Sequence, residues 1–210
     1  MKKIILLLGT LVLAGCATHA DIKMPVVTQV HNSAYENKSM SYDILYSQPK
    51  PGLFSGGEQL PLKPLNEAEL SVASVATLQK LPDYIFKQLP STVKRIDSGN
   101  ADYKLKVELV AHDKHGPTYA DYEAAKSFGK NLITMGLASA EYNIVADFDA
   151  KYVLYKQGEE FFSKEYKVKD QIDHERGDFE SFNTLNDYAG QMLEKHLILT
   201  LNNFFSEAVE

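Results

Sequence analysis

The chain has 210 residues, 44% of them hydrophobic, with 28 acidic against 22 basic side chains and a net charge of −6. That length and apolar content suit one buried core and exclude a disordered chain; the acidic balance argues against a nucleic-acid partner. The single cysteine, Cys16, excludes an internal disulfide and a cysteine-rich metal site, so the fold must rest on packing.

Lys2 and Lys3 precede the apolar run from Ile4 to Leu13, which ends in Ala14-Gly15-Cys16. A short positive region, an apolar stretch of about ten residues and small residues at the cut mark a secretory signal peptide. The stretch falls short of the roughly 20 residues that span a bilayer. Leu13-Ala14-Gly15-Cys16 resembles the lipobox of bacterial lipoproteins. The resemblance implies cleavage between Gly15 and Cys16, a diacylglycerol on the Cys16 thiol, and an acyl chain such as palmitate on the new amine. Two or more acyl chains make anchoring effectively stable, and no cofactor is expected beyond this covalent lipid. In Gram-negative lipoproteins an aspartate after the cysteine holds the protein at the inner membrane. Ala17 stands there, which implies the outer membrane with the folded part facing the periplasm. The expected organisation is a signal peptide over 1–15, a lipidated cysteine and tether over 16–24, and a single domain over 25–210.

Val26 to Val30 has strand composition, and Ser41 to Tyr46 alternates as a second strand. Residues 48–64 carry four prolines (Pro49, Pro51, Pro61 and Pro64) and three glycines (Gly52, Gly56 and Gly57), which predicts a loop. No Gly-Lys-Ser/Thr follows its glycines, so it is no phosphate loop. Asn66-Glu67-Ala68-Glu69 predicts a capped helix start, with Leu70, Ala73, Ala76 and Leu81 on one stripe and a restart at Pro82. Residues 101–109 form the clearest strand: Tyr103, Leu105, Val107 and Leu109 point one way, Lys104, Lys106 and Glu108 the other. A turn is predicted over 112–117 and a helix over 119–137, the latter on the spacing of Tyr122, Ala125, Phe128, Leu132 and Met135. A long strand over 142–156, a two-residue Gln157-Gly158 hairpin and a returning strand over 161–168 follow. The polar stretch 169–180 predicts a loop. The longest helix covers about 181–208, with Leu185, Tyr188, Met192, His196 and Leu199 on its stripe.

The expected fold is α+β, an antiparallel sheet of about 4–5 strands on a long C-terminal helix and one or two further helices. This element order, carried by Ala101-Asp102-Tyr103-Lys104-Leu105 entering a strand and by Asp147 to Lys156 with its Gly turn, resembles small envelope lipoproteins. The YajG-like lipoproteins and the auxiliary lipoproteins of lipid-transport ABC systems are similar to it over residues 66–205. That resemblance implies no catalytic residues.

Chemistry-bearing clusters are sparse. His112-Asp113-Lys114-His115 has two histidines and an acid, but zinc needs a further ligand from elsewhere, and the turn around Gly116-Pro117 suits a solvated hairpin. Asp173-His174-Glu175 is expected on the surface. His196, on an apolar stripe, reads as a core histidine with one nitrogen bonded. Asp147 and Asp149 share the wet face of a strand about 7 Å apart, a spacing that invites comparison with glycosidases but fits an ordinary polar face beside Lys151. No Gly-x-Ser-x-Gly elbow is present. No catalytic and no metal-ligating residues are assigned. The aromatic residues are more suggestive: Tyr152, Tyr155, Phe161, Phe162 and Tyr166 fall on both faces of their strands, and exposed aromatic surface marks a partner site. The function expected is a non-catalytic lipid-anchored outer-membrane lipoprotein that binds or scaffolds an envelope protein through a sheet edge or aromatic face. The alternatives are a lipid or apolar-molecule binder with a groove between the C-terminal helix and the sheet, and a cell-wall enzyme.

Overall fold

A computed structural model describes residues 19–51, 57–97, 100–124, 140–177 and 180–208. Gly15, Cys16, the glycines at 52 and 56 and the helical spacing expected over 125–137 lie outside the described residues. In chain order the elements are β1 (Ser39–Ser47), β2 (Lys63–Pro64), α1 (Val72–Gln79), α2 (Leu81–Lys87), β3 (Lys94–Arg95), β4 (Tyr103–Ala111), β5 (Thr118–Tyr122), β6 (Ala140–Lys156), β7 (Glu159–Arg176) and α3 (Phe182–Glu207). The fold is α+β as expected, but the sheet has seven strands and is mixed. β1 runs parallel to β4, with Met40 opposite Tyr103 and Ser47 opposite Val110. The helices α1 and α2 lie on the connection between them, as a parallel pair requires a crossover.

The 17-residue β6 organises the sheet. Along one edge it pairs with β7 from Ala140–Arg176 to Lys156–Glu159. Its other edge is shared: β4 pairs with its C-terminal half and β5 with its N-terminal half, both antiparallel. Between β4 and β5 the chain makes the expected turn, where Asp113 bridges Gly116. Residues 119–122, expected to open a helix, are therefore part of a strand; Thr118 before them is buried, and Tyr119 to Tyr122 pair with Tyr142 to Val145. Gln157 and Gly158 both have positive φ, 53° and 88°, the backbone of a type I′ hairpin turn. Just beyond it the register shifts between Leu154 and Tyr155. Phe161 is the extra residue of that bulge, and it breaks the alternation.

One face of the sheet is covered. Ile144, Ala146, Phe148, Ala150, Tyr152 and Leu154 of β6 meet Leu193, Leu197, Leu201 and Phe204 of α3, all with no exposed surface. Burying each large apolar side chain stabilises the fold by about 1.5–3 kcal/mol. α3 starts where expected: the Ser181 Oγ accepts from the Asn183 N–H at 3.1 Å, an N-cap. α1 crosses α3 at Gly190, where a Cβ would stand 3.0 Å from the Ala73 carbonyl oxygen and where the Thr77 hydroxyl donates to the Gly190 carbonyl at 3.1 Å. α1 begins after Ser71 rather than at Asn66, because Leu65–Glu67 forms a single 3₁₀ turn and Ala68 returns to extended backbone. Pro82 restarts the helix as expected, in the first turn of α2.

Two further expectations fail because polar groups find partners far away in the chain. Residues 169–176 continue β7 instead of looping. Their inward positions are Asp170, Ile172 and His174, opposite Ala146, Ile144 and Tyr142, and the two polar ones are hydrogen-bonded. Likewise Val26 to Val30 is not a strand. It is an extended strap on α3, where the Asn202 amide accepts from the Thr28 N–H at 2.9 Å and donates to the Val26 carbonyl at 2.8 Å. The Val30 N–H donates to the Gln88 carbonyl at 2.7 Å. One side-chain amide thus stands in for a neighbouring strand. The strap begins early: within the expected tether over 16–24, Ala20 is buried and Ile22 packs against the core, while Asp21, Lys23 and Met24 stay exposed. It ends at Tyr35, whose hydroxyl donates to the Ala208 carbonyl at 3.0 Å. No helix among the described residues is long and apolar enough to cross a membrane.

Candidate functional site

The uncovered face of the sheet gathers the charged residues that the sequence spreads over four segments. Glu108 of β4 lies opposite Lys151 of β6, which lies opposite Glu165 of β7. Asp147 lies opposite Lys169 and Asp149 opposite Lys167. The Lys104 Nζ stands 2.6 Å from the Asp43 carboxylate, and the Lys106 Nζ 2.6 Å from that of Glu108. Signs alternate across the strands, the arrangement that favours cross-strand pairing.

Here the structure joins two clusters that looked separate in the sequence. At the end of β4, the His112 Nδ1 lies 2.7 Å from the Asp147 carboxylate and the Nε2 lies 3.2 Å from that of Asp149. The imidazole fills the gap between the two carboxylates, which a glycosidase keeps open for substrate and water. Both nitrogens face acids, leaving neither for a hydroxyl nucleophile. His115 is engaged by Asp113 at 2.6 Å, so it does not join His112. The chemistry of this face is charge pairing.

Among the described residues, one group of histidines and acids has ligand atoms close enough to share an ion: His19, His174 and Glu180. Its hydrogen bonding points elsewhere. The His174 Nδ1 accepts from the Ala20 N–H at 3.1 Å, so the proton resides on Nε2, which donates to Glu180 at 3.0 Å. Both nitrogens of this buried ring are used, and it locks the start of the strap to the end of β7. His174 was expected on the surface; its burial has no local signal, because Asp173 and Glu175 flank it.

His196 matches its expectation. Its Nε2 bonds Asp170 at 2.9 Å, and the same carboxylate oxygen accepts from the Lys195 Nζ at 2.8 Å. Burial lowers the His196 pKa against the opposing pull of Asp170. Burial alone would raise the Asp170 carboxyl, but the hydrogen bonds from Lys195 and His196 hold it below the ordinary range.

The five aromatic residues do not form one surface. Tyr152 has no exposed area, and its hydroxyl pairs with that of Thr200 at 2.8 Å. Its ring packs 5.3 Å from Phe204 and 5.8 Å from Tyr166, while Phe162 lies 5.2 Å from Phe204. Tyr152, Phe162 and Tyr166 are thus packing residues beneath α3, because β7 turns its even-numbered side chains toward the helix. Tyr155 stays on the open face, half-buried. Phe161, the bulge residue, is exposed beneath the Lys156 ammonium, 5.5 Å from its ring centre.

From Leu193 to Phe204 no groove opens between α3 and the sheet among the described residues, since Leu193, Leu197, Leu201 and Phe204 are completely buried; an opening of about 520 Å³ lies only at the start of the helix, between Phe182, Leu185 and Tyr142. A cleft of about 620 Å³ lies between β1 and the α1–α2 pair, lined by Tyr42, Ile44, Leu65, Leu70, Leu78 and Pro82. The other open feature is the outer edge of β7. This 18-residue strand pairs only with β6 among the described residues, and Lys164, Lys167 and Lys169 punctuate it, as charged residues do on natural sheet edges.

No family model matches the chain, and no curated protein is significantly similar to it. Solved structures align with it at low identity and low TM-score. A neuraminyllactose-binding hemagglutinin homologue from Helicobacter pylori is 8% identical with a TM-score of 0.45, covering 91% of this chain and 96% of its own. A minor lipoprotein from Acinetobacter baumannii is 12% identical with a TM-score of 0.41, covering 83% of this chain and 94% of its own. The rare lipoprotein B from Shewanella oneidensis is 10% identical with a TM-score of 0.38, covering 80% of this chain and 92% of its own.

Proposed function

We propose that this chain is a lipid-anchored outer-membrane lipoprotein that faces the periplasm and binds a cell-envelope protein without catalysing a reaction. The partner adds a strand to the outer edge of β7. The observation that carries this is the 18-residue edge itself, unpaired with any strand among the described residues. An added strand gains main-chain hydrogen bonds along that length, and alternate side chains supply the choice of partner. The Leu13-Ala14-Gly15-Cys16 motif supports the anchor, and the engagement of Asp147 and Asp149 by His112 supports a role without hydrolysis.

A photo-crosslinking amino acid at Lys167, compared in intact cells with one at Lys80 on the helical side, tests the site. A discrete adduct from Lys167 alone is expected; equal labelling from both positions, or none, would overturn it. A second reading, an accessory that binds a lipid or other apolar molecule, is favoured by the 620 Å³ cleft beside β1, a size that suits a small ligand. Native mass spectrometry of the purified protein separates the two, since only the second expects a co-purified ligand.

A further inference from the structure

We propose that the end of the fold bearing the start of β6 and the start of α3 rests on the membrane, with Phe182, Tyr122 and Val72 meeting zwitterionic lipid headgroups. This rests on the lipid anchor at Cys16 and adds to it an orientation and a contact surface.

The first support is where the chain leaves the fold. The Ala20 N–H is bonded to the His174 ring, and the His19 ring lies 5.6 Å from that ring. His174 is paired with Tyr142, two residues from the start of β6. Cys16 precedes His19 by three residues, and three extended residues reach only about 10 Å. A lipid on Cys16 therefore brings the bilayer surface to this end. A long flexible tether would leave orientation free; this one is bonded to the body at Ala20 and again, along α3, at Val26 and Thr28.

The second support is what stands there. Phe182 is 60% exposed, Tyr122 49% and Val72 76%. The Tyr122 ring lies 5.4 Å from that of Tyr142, and the Arg176 guanidinium lies 3.9 Å from the Phe182 ring centre. Val72, Tyr142, Phe182 and Leu185 also line an apolar cleft of about 520 Å³. Tyr122 and Tyr142 are rings with polar tips, and Phe182 is an apolar ring under the Arg176 guanidinium, which also donates to the Glu180 carbonyl at 2.9 Å; tyrosines and apolar rings beside an arginine are side chains that settle at a membrane–water boundary. Asp121 and Glu123 beside Tyr122 offset the cations Lys114 and Arg176 at this end, so among the described residues the surface offers no basic cluster to select anionic lipids and the lipids it meets are zwitterionic. Phe161, also exposed, stands at the far end beside the Gln157-Gly158 turn, and so provides the control.

The chain contains no tryptophan, so one substitution supplies a unique fluorescent reporter. The full chain, made with its own leader in a bacterial host and purified as the mature protein, is reconstituted into phosphatidylethanolamine–phosphatidylcholine vesicles containing brominated lipid. The Phe182→Trp emission should be quenched about twofold or more beyond that of Phe161→Trp, as expected of a ring at the headgroup level; Tyr122→Trp repeats the measurement on a second residue. Equal quenching at both ends, on protein whose mass shows an acylated Cys16, overturns the orientation and leaves the anchor standing. A mass without acyl chains overturns the anchor itself, and this proposal with it. A Phe182→Trp emission already shielded without vesicles, in a protein that sediments as a dimer, assigns the surface to a second copy and also overturns the proposal.

Discussion

The two faces of the sheet are made by the same strands yet held by different forces. On the covered face, Phe148, Tyr152, Leu197 and Phe204 have no exposed area, and the polar intruders Asp170 and His174 are bonded to Lys195, His196, Ala20 and Glu180. On the uncovered face, Glu108, Lys151 and Glu165 pair across strands in a medium where each exposed pair is worth little. Stability therefore resides on one side, and the other is free to change with a partner.

Substitutions on each side can break or sharpen that contrast. The largest effect is expected for Leu197→Ala, which removes a fully buried side chain and should cost about 2–5 kcal/mol in urea unfolding. A smaller loss would mean that α3 packs loosely on the sheet. Asp170→Ala removes the acceptor shared by Lys195 and His196 and should cost about 1–2 kcal/mol. A neutral result would show that water replaces it, which would make this edge part of the wet side.

Acidification probes the same boundary more gently. Because burial depresses the His196 pKa, the unfolded chain takes up that proton first as pH falls below the ordinary value of about 6.5. Stability is present above that pH and declines toward the folded pKa; Asp170, held low as well, adds a loss of the same sign only at lower pH. His196→Gln should flatten the decline between about pH 7 and pH 5, and an unchanged slope would assign it to other groups. The smallest effect is expected for the exposed Glu165→Ala, within about 0.5 kcal/mol. A larger loss would show that the open face contributes to holding the fold.

Much of this was legible locally. The period-two pattern of β4 and the glycine turn after β6 each follow from neighbouring residues, and each formed; the apolar stripe of α3 formed at Leu185 and Met192, while Leu199, expected on it, stays exposed. What escaped the sequence is non-local. Nothing near Asp170 or His174 announces that Lys195, His196 and Ala20 will satisfy them, so the second half of β7 resembled a loop. The parallel pairing of β1 with β4 depends on where α1 and α2 carry the chain. Tyr166 looked like surface because the Phe161 bulge hides which side of β7 faces inward, and Tyr152, on β6, because nothing near it tells that α3 covers its side of the sheet. His112 meets Asp147 and Asp149 only because β4 pairs with β6. The Leu13-Ala14-Gly15-Cys16 motif was legible without any fold.

The strap from Ala20 to Tyr35 carries a further consequence for the order of events. Its contacts reach His174, Asn202 and Ala208, so the first residues of the body wait for the last ones synthesised. Closing loops of that length is slow. A chain emerging from a ribosome or threading a translocation pore cannot seat its own beginning until α3 has followed. The late appearance of the native state is thus written into the topology itself.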